Sequence, residues 1–360
     1  MPRGGAKGRS ARPARGRRAP RSPRRHALVP ELPARPADPG DARPSRARAP
    51  LPATLVAADR PRVIAIVGPT GTGKTELACA VARRSGAEVV SADSMQVYRG
   101  MDIGTAKPSA AVRAEVPHHG LDLVDPDEPM SAGRWAELAR RAAFEIAARG
   151  RPVLLVGGTG LYARAFAGGL IAGLGSDAAL RAELETRSSE DLRAELERVD
   201  PAAAARIGRA DRVRTVRALE AHRLARSPIS AEQARHAFGD RPFEVVWLGL
   251  AMDRDRLASR LRARTEAIFA AGLVEELASL LAAGFAPGLR PLRAIGYREA
   301  GDLLAGRLSR ADAIERAFIA PRRYAKRQRT WFRAEPELEW IDAEAREPAI
   351  ERVLRAISRR

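Results

Sequence analysis

The sequence predicts an α/β fold, namely a P-loop-type open parallel sheet with flanking helices and an all-helical insertion domain. One observation is the run Val63–Val67, a short stretch of β-branched and small apolar residues that predicts a buried strand. Gly68–Thr75 follows at once and fits G-x-x-x-x-G-K-[ST], and Glu76–Arg84 then shows helical periodicity. The other observation is the alternation of predicted strands and helices on both sides of a charged, purely helical stretch, residues 176–241.

The glycine-rich loop is the predicted phosphate-binding site. Its residues are Gly68, Pro69, Thr70, Gly71, Thr72, Gly73, Lys74 and Thr75. The glycines allow backbone N–H groups to turn inward around a phosphate, and the N-terminus of the following helix adds partial positive charge. Lys74 supplies a point charge, and the Thr75 hydroxyl is the predicted protein ligand of a Mg²⁺ ion.

Composition favours a globular protein with an anionic partner. The 360 residues are enough for two or three domains, and the formal net charge of +19 favours nucleic acid. The single cysteine, Cys79, excludes an intramolecular disulfide and fits a reducing compartment. No apolar run approaches the length of a membrane span, so we expect no membrane partner. We also expect a cytoplasmic protein that acts as a monomer.

Residues 1–60 are predicted to be a disordered, basic, Pro/Arg-rich extension. They contain 15 Lys and Arg residues against 4 Asp and Glu residues, and 11 of the 26 prolines. Such a segment cannot bury enough apolar surface to fold. An unstructured extension or a gene start near Leu55–Arg60 is the favoured interpretation. An RNA-binding arm and a transit peptide remain alternatives.

The predicted catalytic core comprises residues 61–175 and 242–360. Its second strand, Ala87–Ser91, is followed by Asp93. Ligands bind outside the carboxyl ends of strands in open parallel sheets, so Asp93 is expected to face the same crevice as the glycine loop. N-capping of the following turn explains Asp93 equally well. A further short strand is predicted at Gly120–Val124, and the adjacent His118 and His119 share no face that would hold a metal.

The next predicted helix and strand end in an informative loop. Ser131–Arg149 is predicted to be a helix capped by Ser131 and stopped by Gly150. The strand Arg151–Val156 then leads into Gly157–Tyr162, which reads GGTGLY. A motor-type NTPase would carry an acidic residue at the end of such a strand. Its absence argues against ATP hydrolysis and favours a transferase with a small phosphorylated donor.

The insertion domain, residues 176–241, is predicted to be helical because leucines and valines recur there at helical spacing. Its middle is crowded by arginines, namely Arg206, Arg209, Arg212, Arg214 and Arg217. These side chains either form a solvated helix face or contact nucleic acid.

The carboxyl-terminal part returns to the core. A strand is predicted at Phe243–Leu250, a long helical stretch at Arg254–Gly284 with a break near Gly272, and a helix at Ser309–Arg333. The last turns of that helix place basic residues beside aromatic residues. Such a surface can neutralise phosphates and stack on unpaired bases, or it can simply close the sheet. A final short strand, Glu339–Asp342, precedes a terminal helix.

Six segments, taken together and in order, resemble the isopentenyl-tRNA transferase (tRNA dimethylallyltransferase) family of bacteria. They are GPTGTGKT (Gly68–Thr75), SADSMQVYRGMDIGTAKP (Ser91–Pro108), LVGGTGLY (Leu155–Tyr162), RALE (Arg217–Glu220), RAIGYRE (Arg293–Glu299) and YAKRQRTWFR (Tyr324–Arg333). The resemblance extends from about Val63 to Asp342 and leaves out the N-terminal extension.

The resemblance implies a reaction in which a dimethylallyl group moves from dimethylallyl diphosphate to the exocyclic amine of the adenosine just 3′ of a tRNA anticodon. The loop, Lys74 and a Mg²⁺ ion on Thr75 would stabilise the leaving diphosphate. Asp93 matches the family's catalytic aspartate and would be the general base. Thr70 matches the family's second polar group near the reacting centre, so Asp93, Thr70 and Lys74 are the predicted catalytic residues.

Contacts with tRNA also follow from the resemblance. They are Asp93, Ser94, Met95, Gln96, Thr159, Arg181, Arg214, Arg217, Arg293, Arg298, Lys326, Arg327, Gln328, Arg329, Trp331 and Arg333. The segment before RALE departs from the family, because Val213 and Thr215 stand where Gln and Ile are usual. The target adenine must leave the anticodon loop, and a channel between the core and the insertion is the expected place for it.

Two other functions are compatible with parts of the sequence. A P-loop small-molecule kinase would account for the loop and Asp93, but not for the basic segments. The second alternative is not an enzyme but an RNA-binding protein whose glycine loop only senses nucleotide.

Overall fold

A computed structural model describes residues 60–171, 175–236 and 238–359. Its centre is a six-stranded sheet in the order β3-β2-β4-β1-β5-β6. The strands are β1 (Arg62–Val67), β2 (Glu88–Ser91), β3 (His118–His119), β4 (Val153–Gly157), β5 (Glu244–Ala251) and β6 (Glu339–Asp342). Every neighbouring pair is parallel. The predicted open parallel sheet is therefore confirmed.

Helices cover both faces of the sheet, as a parallel sheet with buried strands requires. They are α1 (Lys74–Ser85), α2 (Ala110–Glu115), α3 (Ala132–Ala148), α4 (Gly160–Gly168), α5 (Ala178–Thr186), α6 (Ser189–Val199), α7 (Pro201–Arg206), α8 (Arg212–Ala225), α9 (Ile229–His236), α10 (Arg254–Ala270), α11 (Leu273–Ala282), α12 (Tyr297–Leu304), α13 (Arg310–Arg333) and α14 (Arg346–Ser358). Within the described residues, every helix is too short or too polar to cross a bilayer.

Two hydrophobic clusters hold the sheet between its helices. One face packs against α3 and α4, where Trp135 stacks on Tyr162 with ring centroids 4.4 Å apart. The other face packs against α1 and α14. A third cluster joins α10, α11, α12 and α13 around Phe269 and Tyr297. This third cluster places α10 and α13 beside the carboxyl ends of the strands, where the site lies.

Local signals located most elements correctly. Ser131 caps α3, its hydroxyl accepting a hydrogen bond from Arg134 N at 3.1 Å, and Gly272, at φ 105°, separates α10 from α11. The strand predicted at Gly120–Val124 is wrong. The observed strand is the preceding pair, His118–His119, and Gly120 ends it in a left-handed conformation, at φ 83°. Val124 forms only an isolated bridge with Tyr98.

Residues 176–236 and 238–241 contain helices α5 to α9 and no strand. These helices have a hydrophobic cluster of their own, in which Leu184, Leu192, Leu196 and Leu219 are completely buried. The division of the chain into a core and an insertion domain stays a prediction. Residues 1–59 of the predicted extension lie outside the described residues.

Glu220 ties α5 to α8 inside this helical cluster. Its carboxylate is fully buried and accepts hydrogen bonds from Arg181 and Arg217, each at 2.8 Å, and from Asp177 N at 2.9 Å. Burial by itself would raise the pKa of Glu220, but these hydrogen bonds hold the pKa below its usual range. The ionised form of Glu220 is thus the form that stabilises the helices.

Glu220→Gln should lower the free energy of unfolding by about 2–3 kcal/mol near neutral pH, because charge-assisted hydrogen bonds are lost. Because the folded pKa is lowered, the wild-type advantage is present above the pKa of an unfolded glutamate and disappears as pH falls through the lower folded value. Urea unfolding at several pH values measures both effects. A stability difference that stays constant down to acid pH would contradict this account of Glu220.

Candidate active site

The glycine loop forms one end of a cavity of about 510 Å³ at the carboxyl edge of the sheet. Thr70, Gly71, Gly73, Lys74 and Thr75 line it. The other loop residues brace the structure instead. Gly68 and Pro69 are buried, and the buried Thr72 donates from its hydroxyl to Pro69 O at 2.9 Å. The glycine loop therefore has an inner layer that lines the cavity and an outer layer that holds the shape of the loop.

Lys74 projects along the loop, and its ammonium group donates to Pro69 O at 2.6 Å. Burial and the nearby charge of Arg264 lower the pKa of Lys74 to about 7, although Asp93 and Glu76 oppose the shift. An anion bound in the cradle would restore the full positive charge. The interaction of Lys74 with an anionic ligand should therefore be stronger than that of an exposed lysine.

Asp93 both caps the turn after β2 and lines the cavity. One carboxylate oxygen accepts hydrogen bonds from Met95 N at 2.8 Å and Gln96 N at 3.4 Å, so the side chain caps the turn after β2. The same side chain lines the cavity that contains the loop. Since Oδ1 makes these bonds, the second carboxylate oxygen remains available to a ligand.

A second cavity, of about 330 Å³, adjoins the first. Its wall is largely apolar and comes from α10, α12, α13 and the turn at Met95. Four residues line both cavities, namely Thr70, Asp93, Arg264 and Tyr324. The described residues of the insertion contribute nothing to either wall, so this pocket lies within the core and not between core and insertion, where we expected the channel.

The loop after β4 needs glycine because three neighbours approach it closely. A Cβ atom at Gly157 would lie 2.1 Å from Ala92 O, and one at Gly160 would lie 2.1 Å from the ring of Trp331. A Cβ atom at Gly158 would lie 2.1 Å from the amide nitrogen of Gln328. The absence of an acidic residue here therefore also has a packing reason, which the sequence pattern alone did not reveal.

The side chain of Gln328, on α13, packs against this loop. It is buried, its amide oxygen accepts from Thr70 N at 2.9 Å, and its amide nitrogen donates to Gly158 O at 2.8 Å. One amide thus joins α13, the glycine loop and the end of β4. The side chain braces the pocket from within the protein, and its predicted contact with tRNA stays a prediction.

Glu276 on α11 is a residue that the sequence analysis missed. Its carboxylate accepts hydrogen bonds from three consecutive backbone groups, Asp102 N, Ile103 N and Gly104 N, at 2.8, 2.6 and 3.1 Å. Tyr297 donates from its hydroxyl to the same carboxylate at 2.6 Å. Gly104 and Tyr297 both line the second cavity, so Glu276 holds that wall in place. Nothing in the local sequence indicates this long-range contact.

Arg260, Arg264 and Tyr324 line the first cavity and were also missed. Arg260 and Arg264 lie one helical turn apart on α10, a spacing that could have identified them as one basic face. Tyr324 belongs to the recognised segment at the end of α13. Burial raises the pKa of Tyr324, so its phenol keeps its proton and can donate a hydrogen bond.

The predicted tRNA contacts fall into separate places. Asp93, Ser94, Met95 and Arg327 line the second cavity, Gln96 lines the first, and Thr159 binds Ser94 N through its hydroxyl at 3.1 Å. The insertion holds Arg181, Arg214 and Arg217, of which Arg181 and Arg217 bind the buried Glu220. Arg214 is largely exposed beside Val213, whose side chain is 80% exposed.

The remaining predicted contacts lie on α12 and α13 and just before α12. Arg293 is exposed, whereas Arg298 binds the buried Glu299 at 2.7 Å. Trp331 packs against Gly160 and lies under the guanidinium of Arg164, 4.8 Å from its ring centroid. Lys326, Arg329 and Arg333 line a different groove, on the other side of α13. The structure thus brings only part of the predicted set together at one pocket.

One hydroxyl that could bind Mg²⁺, that of Thr75, lies at the glycine loop. The exposed Thr75 lies at the start of α1 and lines the cavity, and within the described residues its hydroxyl makes no hydrogen bond. Among the same residues no group of three or more His, Cys, Asp and Glu side chains could enclose a metal. A Mg²⁺ ion bound by Thr75 would therefore need substrate phosphates and water as its other ligands.

Comparison with known proteins places the chain among tRNA-modifying enzymes. A family model described as IPP transferase matches residues 96–335, and one described as isopentenyl transferase matches residues 61–116. The chain is 47% identical to the tRNA dimethylallyltransferase of Geobacter sulfurreducens over 294 residues, covering 79% of the chain and 93% of that protein. It is 50% identical to the tRNA dimethylallyltransferase of an Anaeromyxobacter species over 284 residues, covering 78% and 94%.

Solved structures give the same result. The tRNA isopentenylpyrophosphate transferase of Bacillus halodurans is 37% identical, with a TM-score of 0.60, and the match covers 82% of this chain and 96% of that one. A eukaryotic dimethylallyltransferase acting on tRNA is 27% identical, with a TM-score of 0.69, covering 79% and 74%. Both the fold and most of the chain length are shared.

Gly158→Ala should destabilise the protein by about 1–3 kcal/mol, because the added methyl group overlaps the Gln328 amide. Gly133→Ala is the matched control: it lies in α3, its Cβ would have only one neighbour, at 3.9 Å, and it should be neutral or stabilising by up to about 1 kcal/mol. Thermal unfolding of both variants measures the contrast. Equal stability of the two variants would contradict the close packing at Gly158.

Replacement of Lys74 should change how stability depends on pH. In the folded, ligand-free protein its pKa is about 7, below the value of about 10.4 in an unfolded chain. Between these values the unfolded chain binds more protons, so wild-type stability should rise with pH relative to Lys74→Met. Urea unfolding across that pH range measures this, with Lys326→Met, an exposed lysine, as control. If the free energy of unfolding depends on pH in the same way for wild type, Lys74→Met and Lys326→Met, the pKa of Lys74 is not lowered.

Proposed function

The chain belongs to the tRNA dimethylallyltransferase family, and from this membership and its pocket we propose how it transfers a dimethylallyl group to tRNA. It is a prenyltransferase that acts on tRNA. The proposed donor is dimethylallyl diphosphate, and the proposed acceptor atom is the exocyclic amine of the adenosine 3′-adjacent to the anticodon. The observation that carries the proposal is the junction of a phosphate cradle with an apolar cavity at Thr70 and Asp93.

The donor's diphosphate would occupy the cradle of Gly68–Thr75. Backbone N–H groups of the loop, the N-terminus of α1 and Lys74 would stabilise the negative charge that develops as the carbon–oxygen bond breaks. Arg260 and Arg264 line the same cavity and add positive charge opposite the loop. A Mg²⁺ ion held by Thr75 would supply further charge neutralisation on the diphosphate when it is bound.

The adenine would enter the second cavity after leaving the anticodon loop. With the adenine in place, the largely apolar wall would limit the access of water, which would otherwise compete with the amine for the dimethylallyl carbon. Flipping a base out of a loop costs a few kcal/mol, less than flipping one out of a duplex. The proposed contacts with the loop backbone are Arg327, which lines this cavity, the exposed Arg293 just before α12, and Arg214 on α8.

Asp93 is the proposed general base. The adenine amine forms the new carbon–nitrogen bond, the diphosphate leaves with the electron pair of the broken carbon–oxygen bond, and the amine proton passes to the Asp93 carboxylate. The hydrogen bonds from Met95 N and Gln96 N orient this carboxylate before substrate arrives. Thr70, whose backbone is held by Gln328, provides a second polar group at the junction.

Isotope-labelled dimethylallyl diphosphate and ATP labelled in its terminal phosphate, each incubated with tRNA, test the proposed donor. We expect label to enter tRNA from the prenyl donor alone. Transfer of phosphate from ATP would instead support a kinase, and binding of tRNA without any transfer would support a non-enzymatic RNA-binding protein.

Asp93→Asn should lower kcat by about 10²–10⁴-fold, the usual contribution of a general base, while leaving tRNA affinity close to that of wild type. Asn keeps an oxygen that can accept from Met95 N, so the turn is preserved. Asp93→Ala removes both the base and the cap, and should lose stability as well. Single-turnover transfer assays and filter binding separate these effects. Turnover of Asp93→Asn near that of wild type would exclude Asp93 as the base.

A further inference from the structure

A large groove, separate from the two cavities of the active site, lies on the opposite side of α13 from them. Its volume is about 700 Å³, and it lies between α10 and α13 above the ends of β5 and β6. Leu250, Leu257, Ile319 and Trp340 contribute an apolar floor. Only Leu261 lines both this groove and the apolar part of the catalytic pocket. The groove is therefore a separate surface of the molecule.

Helical geometry divides the end of α13 between the two surfaces. Tyr324 and Gln328, one turn apart, face the catalytic cavity. Arg322, Lys326, Arg329 and Arg333 follow one another at spacings of four, three and four residues, which places them on one stripe of the helix. The stripe is about 16 Å long, at 1.5 Å for each residue. It lines the groove throughout its length.

The groove is basic, and none of the described residues that line it is acidic. Six of its lining residues are cationic, namely Arg254, Arg322, Arg323, Lys326, Arg329 and Arg333. Within the described residues none of the six forms an ion pair, and only Arg322 has a ring contact, with Phe318 at 5.4 Å. The same two helices are bridged elsewhere by Arg262 and Glu315 at 2.6 Å. Over the part of the chain that the structure describes, the cations of the groove thus lack the kind of acidic partner that Arg262 has on the same pair of helices.

This arrangement is unfavourable for the isolated protein. Like charges one turn apart on a helix repel one another, and Arg254, the first residue of α10, lies at the positive end of the helix dipole, where Asp253 and Asp255 offset only part of its charge. A bound polyanion would relieve both effects. The cations extend in a line and do not converge on one point, so an extended chain of phosphates fits them better than a single phosphate group does.

We propose that this groove binds the phosphodiester backbone of the tRNA outside the anticodon loop, while the loop itself enters the catalytic pocket on the other side of α13. The inference rests on the proposed function for the identity of the RNA. It assigns Arg254, Arg322 and Arg323 to RNA binding. It also separates Lys326, Arg329 and Arg333 from the contacts made near the reacting adenine.

The test is the triple variant Arg254→Gln, Arg322→Gln, Arg323→Gln, used in the full-length chain. Each phosphate contact contributes about 0.7–0.9 to the slope of log Kd against log salt, so the slope for full-length tRNA should fall by about 2–3. At low salt the Kd should rise about tenfold or more. At saturating tRNA the kcat should stay near that of wild type. A single-stranded oligonucleotide with the anticodon-loop sequence should bind wild type and variant equally.

The matched control replaces Arg316, Arg355 and Arg359 with Gln, which removes the same charge from exposed positions outside the groove. Equal salt slopes for the groove variant and this control would overturn the proposal, because only general charge would then matter. Inorganic diphosphate that binds wild type more tightly than the groove variant, with unchanged tRNA slopes, would indicate a small-anion site and also overturn it. Failure of wild type to transfer dimethylallyl to tRNA would refute the proposed function, and the binding slopes would still report on the groove.

Discussion

The buried amide of Gln328 holds the active site together. Its oxygen accepts from Thr70 N and its nitrogen donates to Gly158 O, so one side chain joins α13, the glycine loop and the end of β4. A buried amide is stable only when both of its ends are satisfied, and each partner here is a backbone group at the carboxyl edge of the sheet. The contact also requires α13 to approach β4 so closely that glycine is needed at Gly158 and Gly160. The contact thereby holds α13, whose Tyr324 lines both cavities, against the glycine loop.

The arginines of this protein differ in whether they pair with protein carboxylates. In the helical insertion, several arginines bind protein carboxylates or carbonyl groups: Arg181 and Arg217 bind Glu220, and Arg223 binds Glu195. The charges of those arginines are therefore partly neutralised by protein carboxylates, and the ion pairs stabilise the helices. Among the residues that the structure describes, the groove cations of α13 have no such partners, whereas Arg262, on the neighbouring helix, is paired with Glu315. The net charge of +19 therefore does not describe one continuous basic surface.

Periodicity and local signals predicted most of the fold, because they report interactions within one element. The strand before the glycine loop, the cap of α3 at Ser131 and the break at Gly272 were all visible in the chain. The strand at His118–His119 was missed because two residues have no periodicity, and only pairing with β2 defines them. Glu276 was missed for a related reason. Its partners, the backbone groups of residues 102–104, lie more than 170 residues earlier, and a glutamate on an amphipathic helix is usually solvated.

The amino-acid sequence by itself predicted the sheet, the glycine loop between a strand and a helix, and the family, because periodicity reports strands and helices and six ordered segments restrict the family. It also placed Asp93 at the end of a strand. Tertiary structure decided which of two roles Asp93 has, and the answer is both, because one oxygen caps the turn while the side chain faces the cavity. It also divided the basic–aromatic end of α13 between two surfaces. A sequence records that Tyr324 and Lys326 are near one another along the chain, but only the packing of the helix decides that they face opposite sides.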